Sequence, residues 1–196
     1  AIATGLDKSQ IIVHNGPHVI LLIGGRRSGK TSILWQILLG RLKEAGEAVL
    51  CDFHAIVPRI KKDEDFPLEI GKAILINQNF QCFEQDFWTD DGTSWTVRLQ
   101  RLIQNCLEAI QPRRLIILCD EFDALEERFM ASILSLESLL WVKQTLNQPV
   151  YFVMTGSHEF REEHIRSVFG AVSQNKPIHE LTLSDALALI EKPVVN

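Results

Sequence analysis

His18-Val19-Ile20-Leu21-Leu22-Ile23-Gly24-Gly25-Arg26-Arg27-Ser28-Gly29-Lys30-Thr31-Ser32 is the stretch on which the reading of this 196-residue chain turns. An apolar, β-branched run leads into Gly-x-x-x-x-Gly-Lys-Thr and at once into helix-forming residues. That is the strand, loop and helix order a phosphate-binding loop requires. Gly24 and Gly29 are read as points where the backbone turns through positive φ and brings peptide N–H groups against phosphate oxygens with no Cβ in the way. The helix starting near Lys30 adds the positive end of its dipole. Lys30 is placed to reach the β- and γ-phosphates as a point charge, and Thr31 to offer its hydroxyl to a Mg²⁺ ion. The candidate nucleotide-binding residues are thus Gly24, Gly25, Arg26, Arg27, Ser28, Gly29, Lys30, Thr31 and Ser32.

Working outward, Ile33, Leu34, Ile37, Leu38 and Leu42 recur at helical spacing, and the helix is expected to end near Gly46. Glu47 to Phe53 reads as a second strand. A strand, helix and strand of this length make a right-handed βαβ unit, which puts the loop at the C-terminal edge of a parallel sheet, where ligands bind. Upstream, residues 1 to 17 show little periodicity and end in the turn signal Asn15-Gly16-Pro17.

Between residues 54 and 93 the pattern is broken by Pro58, the run Lys61-Lys62-Asp63-Glu64-Asp65, Pro67 and Asp90-Asp91-Gly92. A helix is expected from Leu68 to Phe87, and the mixed-sign run as a solvated loop. Phe80, Phe83, Phe87, Trp88 and Trp95 read either as a base-stacking surface or, lacking interleaved basic residues, as core or interface packing. Ser94 to Ile110 is a further helix that Pro112 prevents from continuing.

Arg114-Leu115-Ile116-Ile117-Leu118-Cys119-Asp120-Glu121 is the second chemical motif. A strand apolar on both faces delivers two carboxylates to the edge that carries the loop. Asp120 would hold a Mg²⁺ shell, and Glu121 would orient or deprotonate the water that attacks the γ-phosphate. Asp123 is either a further site acid or a helix N-cap. Leu125 to Leu146 is expected as one long or two short helices, and Pro149 to Met154 as a strand that ends in Thr155-Gly156-Ser157. Hydroxyls there would either sit beside the γ-phosphate or merely cap the next helix. Residues 158 to 169 form a charged helix whose Arg161 and Arg166 are read as solvent-facing. Ile178 to Leu181 is expected as a last short strand, and Ser184 starts a helix that stops at Pro193.

The length of 196 residues and 46% hydrophobic content fit one globular domain, or one domain plus a fragment of another, and the net charge of −5 gives no footprint for nucleic acid or an anionic membrane; the order of elements makes it an α/β domain. Cys51, Cys82, Cys106 and Cys119 lack metal-ligand spacing and read as thiols in a reducing compartment. No apolar run approaches the ~20 residues of a membrane span. The expected location is cytoplasmic. The chain, residues 1–196, is expected to be a single domain excised from a longer protein.

With the loop, Ile117-Leu118-Cys119-Asp120-Glu121-Phe122-Asp123, Phe152-Val153-Met154-Thr155-Gly156-Ser157 and Leu181-Thr182-Leu183-Ser184 in order, the chain resembles the STAND NTPases. These are signal-transduction relatives of the AAA+ ATPases, and the likeness is greatest to their archaeal-type branch with its Arg-Arg-x-Gly-Lys-Thr-Ser loop. The resemblance implies a three-layer P-loop NTPase of the additional-strand (ASCE) type, with a parallel five-stranded sheet in the order 5-1-4-3-2. It also implies ATP or ADP with Mg²⁺, and a nucleotide-controlled switch that assembles with protein partners or copies of itself through flanking regions. Lys30 and Thr31 then stand at the Walker A positions, Asp120 and Glu121 at Walker B, and Ser157 at the sensor-1 position, where many relatives carry arginine. A helical lid and winged helix would follow residue 196.

Two functions emerge from the residues. One is an ATPase whose hydrolysis resets a conformational or oligomerisation switch, with Lys30, Glu121 and Ser157 as the candidate catalytic residues and Thr31 and Asp120 as the metal-side residues. The other is a nucleotide-bound interaction module with little turnover. A small-molecule kinase is disfavoured by the lack of an arginine-rich lid, and GTP by the lack of Asn-Lys-x-Asp: Asn175-Lys176-Pro177-Ile178 has no acid.

Overall fold

The computed structural model describes residues 19–41, 46–125, 128, 134, 148–157 and 173–178. Strand β1 (Val19–Ile23) runs into the glycine-rich loop and then α1 (Lys30–Gln36). The following turn, Ile37–Arg41, widens and breaks at Gly40, whose φ is 86°. The helix is therefore broken at Gly40, and residues 42–45, next to its expected end near Gly46, lie outside the described residues. Gly40 takes the left-handed conformation that closes a helix, whereas Gly46 opens strand β2 (Gly46–Asp52). A Cβ on Gly46 would lie 2.5 Å from the Arg114 carbonyl oxygen, so this glycine serves close strand packing.

After β2, Asp52 caps the short helix α2 (Phe53–Ile56) by accepting from the His54 and Ala55 N–H groups at 3.0 and 3.3 Å. Lys61, Lys62, Asp63 and Glu64 are exposed, as a solvated run should be. Asp65 ties this run down by accepting from the Lys61 and Lys62 N–H groups at 2.7 and 3.0 Å, and α3 (Asp65–Leu75) begins. The expected continuous helix to Phe87 is not formed. Asn77 interrupts it: its amide donates to Glu47 and to the Ala48 carbonyl, while its own Oδ1 accepts from the Asn79 N–H. Asparagine that bonds backbone locally favours a turn over a helix. A separate short helix, α4 (Glu84–Trp88), follows, and then α5 (Trp95–Ile110), with Ser94 at its N-cap.

The remaining strands are β3 (Arg114–Asp120), β4 (Val150–Gly156) and β5 (Ser173–Pro177). All pairings are parallel, and the order is β2-β3-β4-β1-β5. β1 and β2 are therefore not neighbours, since β3 and β4 lie between them. β4 is the additional strand between the loop strand and the acid strand. Of the expected strand Ile178–Leu181 only Ile178 is described, just past β5, and the rest lies outside the described residues; among those described the last strand is β5, Ser173–Pro177. Its polar sequence gives no hydrophobic pattern to read, and an edge position tolerates both that polarity and the terminal Pro177.

Alternation along the inner strands builds two cores. Val19, Leu21, Val49, Cys51, Leu115, Ile117, Phe152 and Met154 face one way, against buried residues of α2, α3 and α5. Ile20, Leu22, Ile116, Leu118 and Val153 face the other, against Ile33, Leu34 and Ile37 of α1 and the turn that follows it. Two buried faces explain why these strands are continuous apolar runs. Each fully buried Leu or Ile contributes roughly 1.5–3 kcal/mol, so the sheet holds the strand ends at its C-terminal edge rigidly. Among the described residues no helix is long and apolar enough to cross a membrane. Apart from Leu125, Arg128 and Leu134, the expected helices at 125–146, 158–169 and from Ser184 lie outside the described residues, as does the N-terminal segment 1–17.

Candidate functional site

The loop between β1 and α1 is shaped by three residues with different roles. Gly29 caps α1 with φ 90° and open space around its α-carbon, the left-handed turn foreseen from sequence. Arg27 also takes positive φ, at 63°. Gly24 does not, and its glycine requirement is steric: an added Cβ would meet the Ile178 carbonyl oxygen at 2.6 Å and Ser28 Oγ at 2.8 Å. The loop is pinned on both sides. The Gly24 N–H donates to the Gly156 carbonyl of β4 at 3.3 Å, and the Ile178 N–H, just past β5, donates to the Ile23 carbonyl at 2.7 Å.

Lys30 folds into this loop and donates through Nζ to the carbonyls of Gly24 and Gly25 at 2.6 and 2.8 Å. Burial pushes its pKa below the ordinary lysine value, against the upward pull of Asp123, Asp120 and Glu121. Arg26, Arg27, Thr31 and Ser32 are exposed, Gly25 and Gly29 are half-buried, and Gly24 is buried. Ser28 Oγ is buried with no hydrogen-bond partner, an orphan polar atom inside the loop of the kind that calls for explanation.

The acid pair arrives from β3. Asp120 ends the strand, and its Oδ1 accepts from Thr31 Oγ1 at 3.3 Å and from Thr155 Oγ1 at 2.6 Å. Glu121 follows with φ 52° and an exposed side chain. Its N–H donates to the same Thr155 hydroxyl at 2.9 Å. Thr155 is fully buried near the end of β4, and its hydroxyl donates once and accepts once in holding the two acids. The pairing of Cys119 with Met154 in the β3–β4 register puts Thr155 beside Asp120.

Most of the residues of the helix that Asp123 would cap lie outside the described residues. Asp123 lies within a short helical turn, Phe122–Leu125, and its Oδ2 accepts from the Ser157 N–H at 3.0 Å. Its charge also pulls the Lys30 pKa upward. Ser157 thus joins the constellation through its backbone. The hydroxyl on the acid pair is that of Thr155, whose signal was present in the Thr-Gly-Ser strand end but not separable from Ser157 by spacing alone. Arg161 and Arg166 lie outside the described residues.

Thr31 and Asp120 offer hard oxygen donors within 3.3 Å of each other, a donor set that suits Mg²⁺, which keeps most of its own waters and needs few protein ligands. Among the described residues no three His, Cys, Asp or Glu side chains form a metal-holding cluster. The aromatic block does not form an open stacking face. Phe80 and Phe87 are buried, and Phe87, Trp88 and Trp95 pack on one another with ring centroids 5.2–5.8 Å apart. Trp88 remains 41% exposed.

No protein-family model matches the sequence, and no curated protein sequence matches it. Solved structures do resemble the fold. The ORC2 protein of Aeropyrum pernix, solved as ADPNP–ADP complexes, is 13% identical with a TM-score of 0.52 over 83% of this chain and 42% of its own. CDC6P from Pyrobaculum aerophilum is 14% identical with a TM-score of 0.53 over 93% of this chain and 46% of its own. The chain spans less than half the length of either structure. At such identity the likeness speaks for architecture alone: this chain shares a parallel-sheet α/β fold with both.

Proposed function

We propose that this chain is a Mg-ATP-binding P-loop NTPase domain that hydrolyses ATP to ADP and phosphate. The observation that carries the reading is the hydrogen bond from Thr31 Oγ1 to Asp120 Oδ1 at 3.3 Å. It joins residues 89 positions apart, one from the glycine-rich loop and one from the acid strand. Chance glycine-rich turns have no reason to meet such a carboxylate.

In this reading the loop N–H groups and Lys30 bind the phosphates. Lys30 must leave the Gly24 and Gly25 carbonyls to do so, exchanging them for charged oxygens. Thr31 and Asp120 would hold Mg²⁺, which when bound neutralises charge on the phosphates. Glu121 positions the attacking water and accepts its proton. Thr155 keeps the Asp120 carboxylate and the Glu121 backbone in fixed relation.

The finer reading is a STAND-type switch, in which nucleotide state governs conformation or assembly within a multidomain protein. It is supported by Arg26-Arg27 ahead of Ser28-Gly29-Lys30-Thr31-Ser32 and by the order of motifs along the chain.

The test is thermal denaturation of the chain with ATP, ADP and GTP, with and without Mg²⁺, followed by phosphate release and by chromatographic size. Ligand at about 100 times its Kd stabilises by about 2.7 kcal/mol, a readily seen shift. No shift with any nucleotide would sink the proposal. Binding without phosphate release, but with a nucleotide-dependent change in size, would replace hydrolysis by the low-turnover interaction module.

A further inference from the structure

Glu121 is held in the left-handed region, at φ 52°, and the bonds around it show how. A residue's φ and ψ are set by the two rigid peptide planes that flank it. At Glu121 both planes are tied. Its N–H donates to Thr155 Oγ1 at 2.9 Å, and its carbonyl accepts from the Ala124 N–H at 2.9 Å.

The second tie is only as firm as the turn that carries Ala124. That turn, Phe122–Leu125, is anchored from outside at Phe122 and at Asp123. The Phe122 ring meets the Phe53 ring of α2 edge-on, with centroids 5.1 Å apart. Asp123 Oδ2 accepts from the Ser157 N–H at 3.0 Å. Thr155 lies near the end of β4 and Ser157 just past it, so one strand end grips Glu121 from both sides.

A sparsely populated backbone conformation persists where surrounding contacts over-determine it. Of the two anchors, the Phe122 ring is part of the buried core and serves the fold at large. The Asp123 bond is directional and charge-assisted. Losing it would free the carbonyl side of Glu121 and leave the Thr155 bonds to Asp120 and to the Glu121 N–H in place.

We propose that Asp123 is a positioning residue: through its bond to Ser157 it fixes the Phe122–Leu125 turn, keeps Glu121 left-handed and so aims the Glu121 carboxylate. In this role Asp123 touches neither nucleotide nor attacking water. What it contributes is an acceptor oxygen, not a charge. The catalytic consequence rests on the ATPase reading; the hold on the Glu121 backbone does not.

The test compares Asp123→Ala with Asp123→Asn, since asparagine keeps an acceptor oxygen for the Ser157 N–H. Without nucleotide, Asp123→Ala should lower the melting temperature more on a Glu121→Gly background than in the parent, by about 2–4 °C. In the parent the freed turn relieves the strain at residue 121, which offsets part of the lost bond; glycine has no such strain to relieve. With ATP, Asp123→Ala should lower phosphate release about 10–100-fold, the scale of a misplaced catalytic group, and keep the ATP-induced thermal shift. Asp123→Asn should stay close to the parent in both. On a Glu121→Gln background Asp123→Ala should cost no further phosphate release, because a residue that acts through another is not additive with it. Equal falls in melting temperature on the two backgrounds would overturn the proposal, as would an asparagine variant as slow as alanine, or a further loss on the Glu121→Gln background. If the parent chain releases no phosphate, the hydrolytic reading falls, and the melting comparison alone decides whether Asp123 holds Glu121.

Discussion

The hydroxyl of Thr155, near the end of β4, donates to Oδ1 of Asp120, at the end of β3, across 2.6 Å, and accepts the Glu121 N–H at 2.9 Å. One buried oxygen thereby fixes a carboxylate and the backbone of the residue after it. Thr155→Val keeps the shape and removes both bonds. It should cost about 1–3 kcal/mol in stability, from a buried N–H and a carboxylate left short of a partner, and lower phosphate release by more than it lowers ATP affinity. Thr155→Ser should retain both. Equal loss of kcat and affinity in the valine variant would show that the hydroxyl merely supports the fold.

Glu121 sits at φ 52° with an exposed side chain. Left-handed backbone at a non-glycine residue costs about 1–2 kcal/mol, so the carboxylate is kept against local preference. Glu121→Gln should reduce phosphate release by about 10²–10⁴-fold, the usual range for a general base, with ATP-induced thermal stabilisation preserved. Glu121→Gly should be equally inactive yet melt no lower than the parent. A glycine variant that melts several degrees lower would show that the side chain contributes to stability in a way its exposure does not suggest.

Gly24 and Gly29 separate two reasons for glycine. Gly24→Ala places a Cβ 2.6 Å from a backbone oxygen and should destabilise by about 1–3 kcal/mol through overpacking. Gly29→Ala has room but must hold φ 90°, at about 1–2 kcal/mol. Both should weaken nucleotide binding. Chemical denaturation with and without ATP would measure the two effects; a neutral Gly24→Ala would contradict the close approach of Ile178.

Lys30 gives a pH dependence whose sign follows from its lowered pKa. The charged ammonium is the form that binds phosphate, and burial makes its proton leave below the ordinary value of 10.5. Nucleotide affinity should be full below that lowered pKa and fall as pH rises through it. Folding stability carries the opposite sign, because the folded chain releases this proton more readily than the unfolded one. Its contribution grows as pH rises from the folded pKa toward 10.5. ATP affinity of the parent and of Lys30→Gln, measured from neutral to alkaline pH, checks this: the glutamine variant should bind weakly without the alkaline decline.

The helical core face of α5, the two-sided apolar strands and the loop itself were legible in the sequence because each is a run of like signals: Leu99, Leu102, Ile103 and Cys106 at helical spacing, Leu115 to Leu118 without interruption, and Gly-Lys-Thr after a strand. What escaped was set by single atoms. Asn77 stops a helix by bonding across to Glu47, thirty residues away, and Gly40 breaks another. β5 is a polar strand, Ser-Gln-Asn-Lys-Pro, whose placement depends on the free edge of β1 and not on its own composition. At the site, the meeting of Thr31 with Asp120 followed from strand order. The attachment of Thr155 to the acids, and of Ser157 to Asp123, followed from register, and a one-residue shift in a strand exchanges inward for outward side chains.

Ile178 has a further meaning for how this domain can be dissected. Its N–H holds the Ile23 carbonyl, and its own carbonyl occupies the space a Cβ on Gly24 would need. A unit that keeps the glycine-rich loop supported on this side therefore extends through residue 178. Boundaries drawn at the end of β4 would remove one wall of the glycine-rich loop.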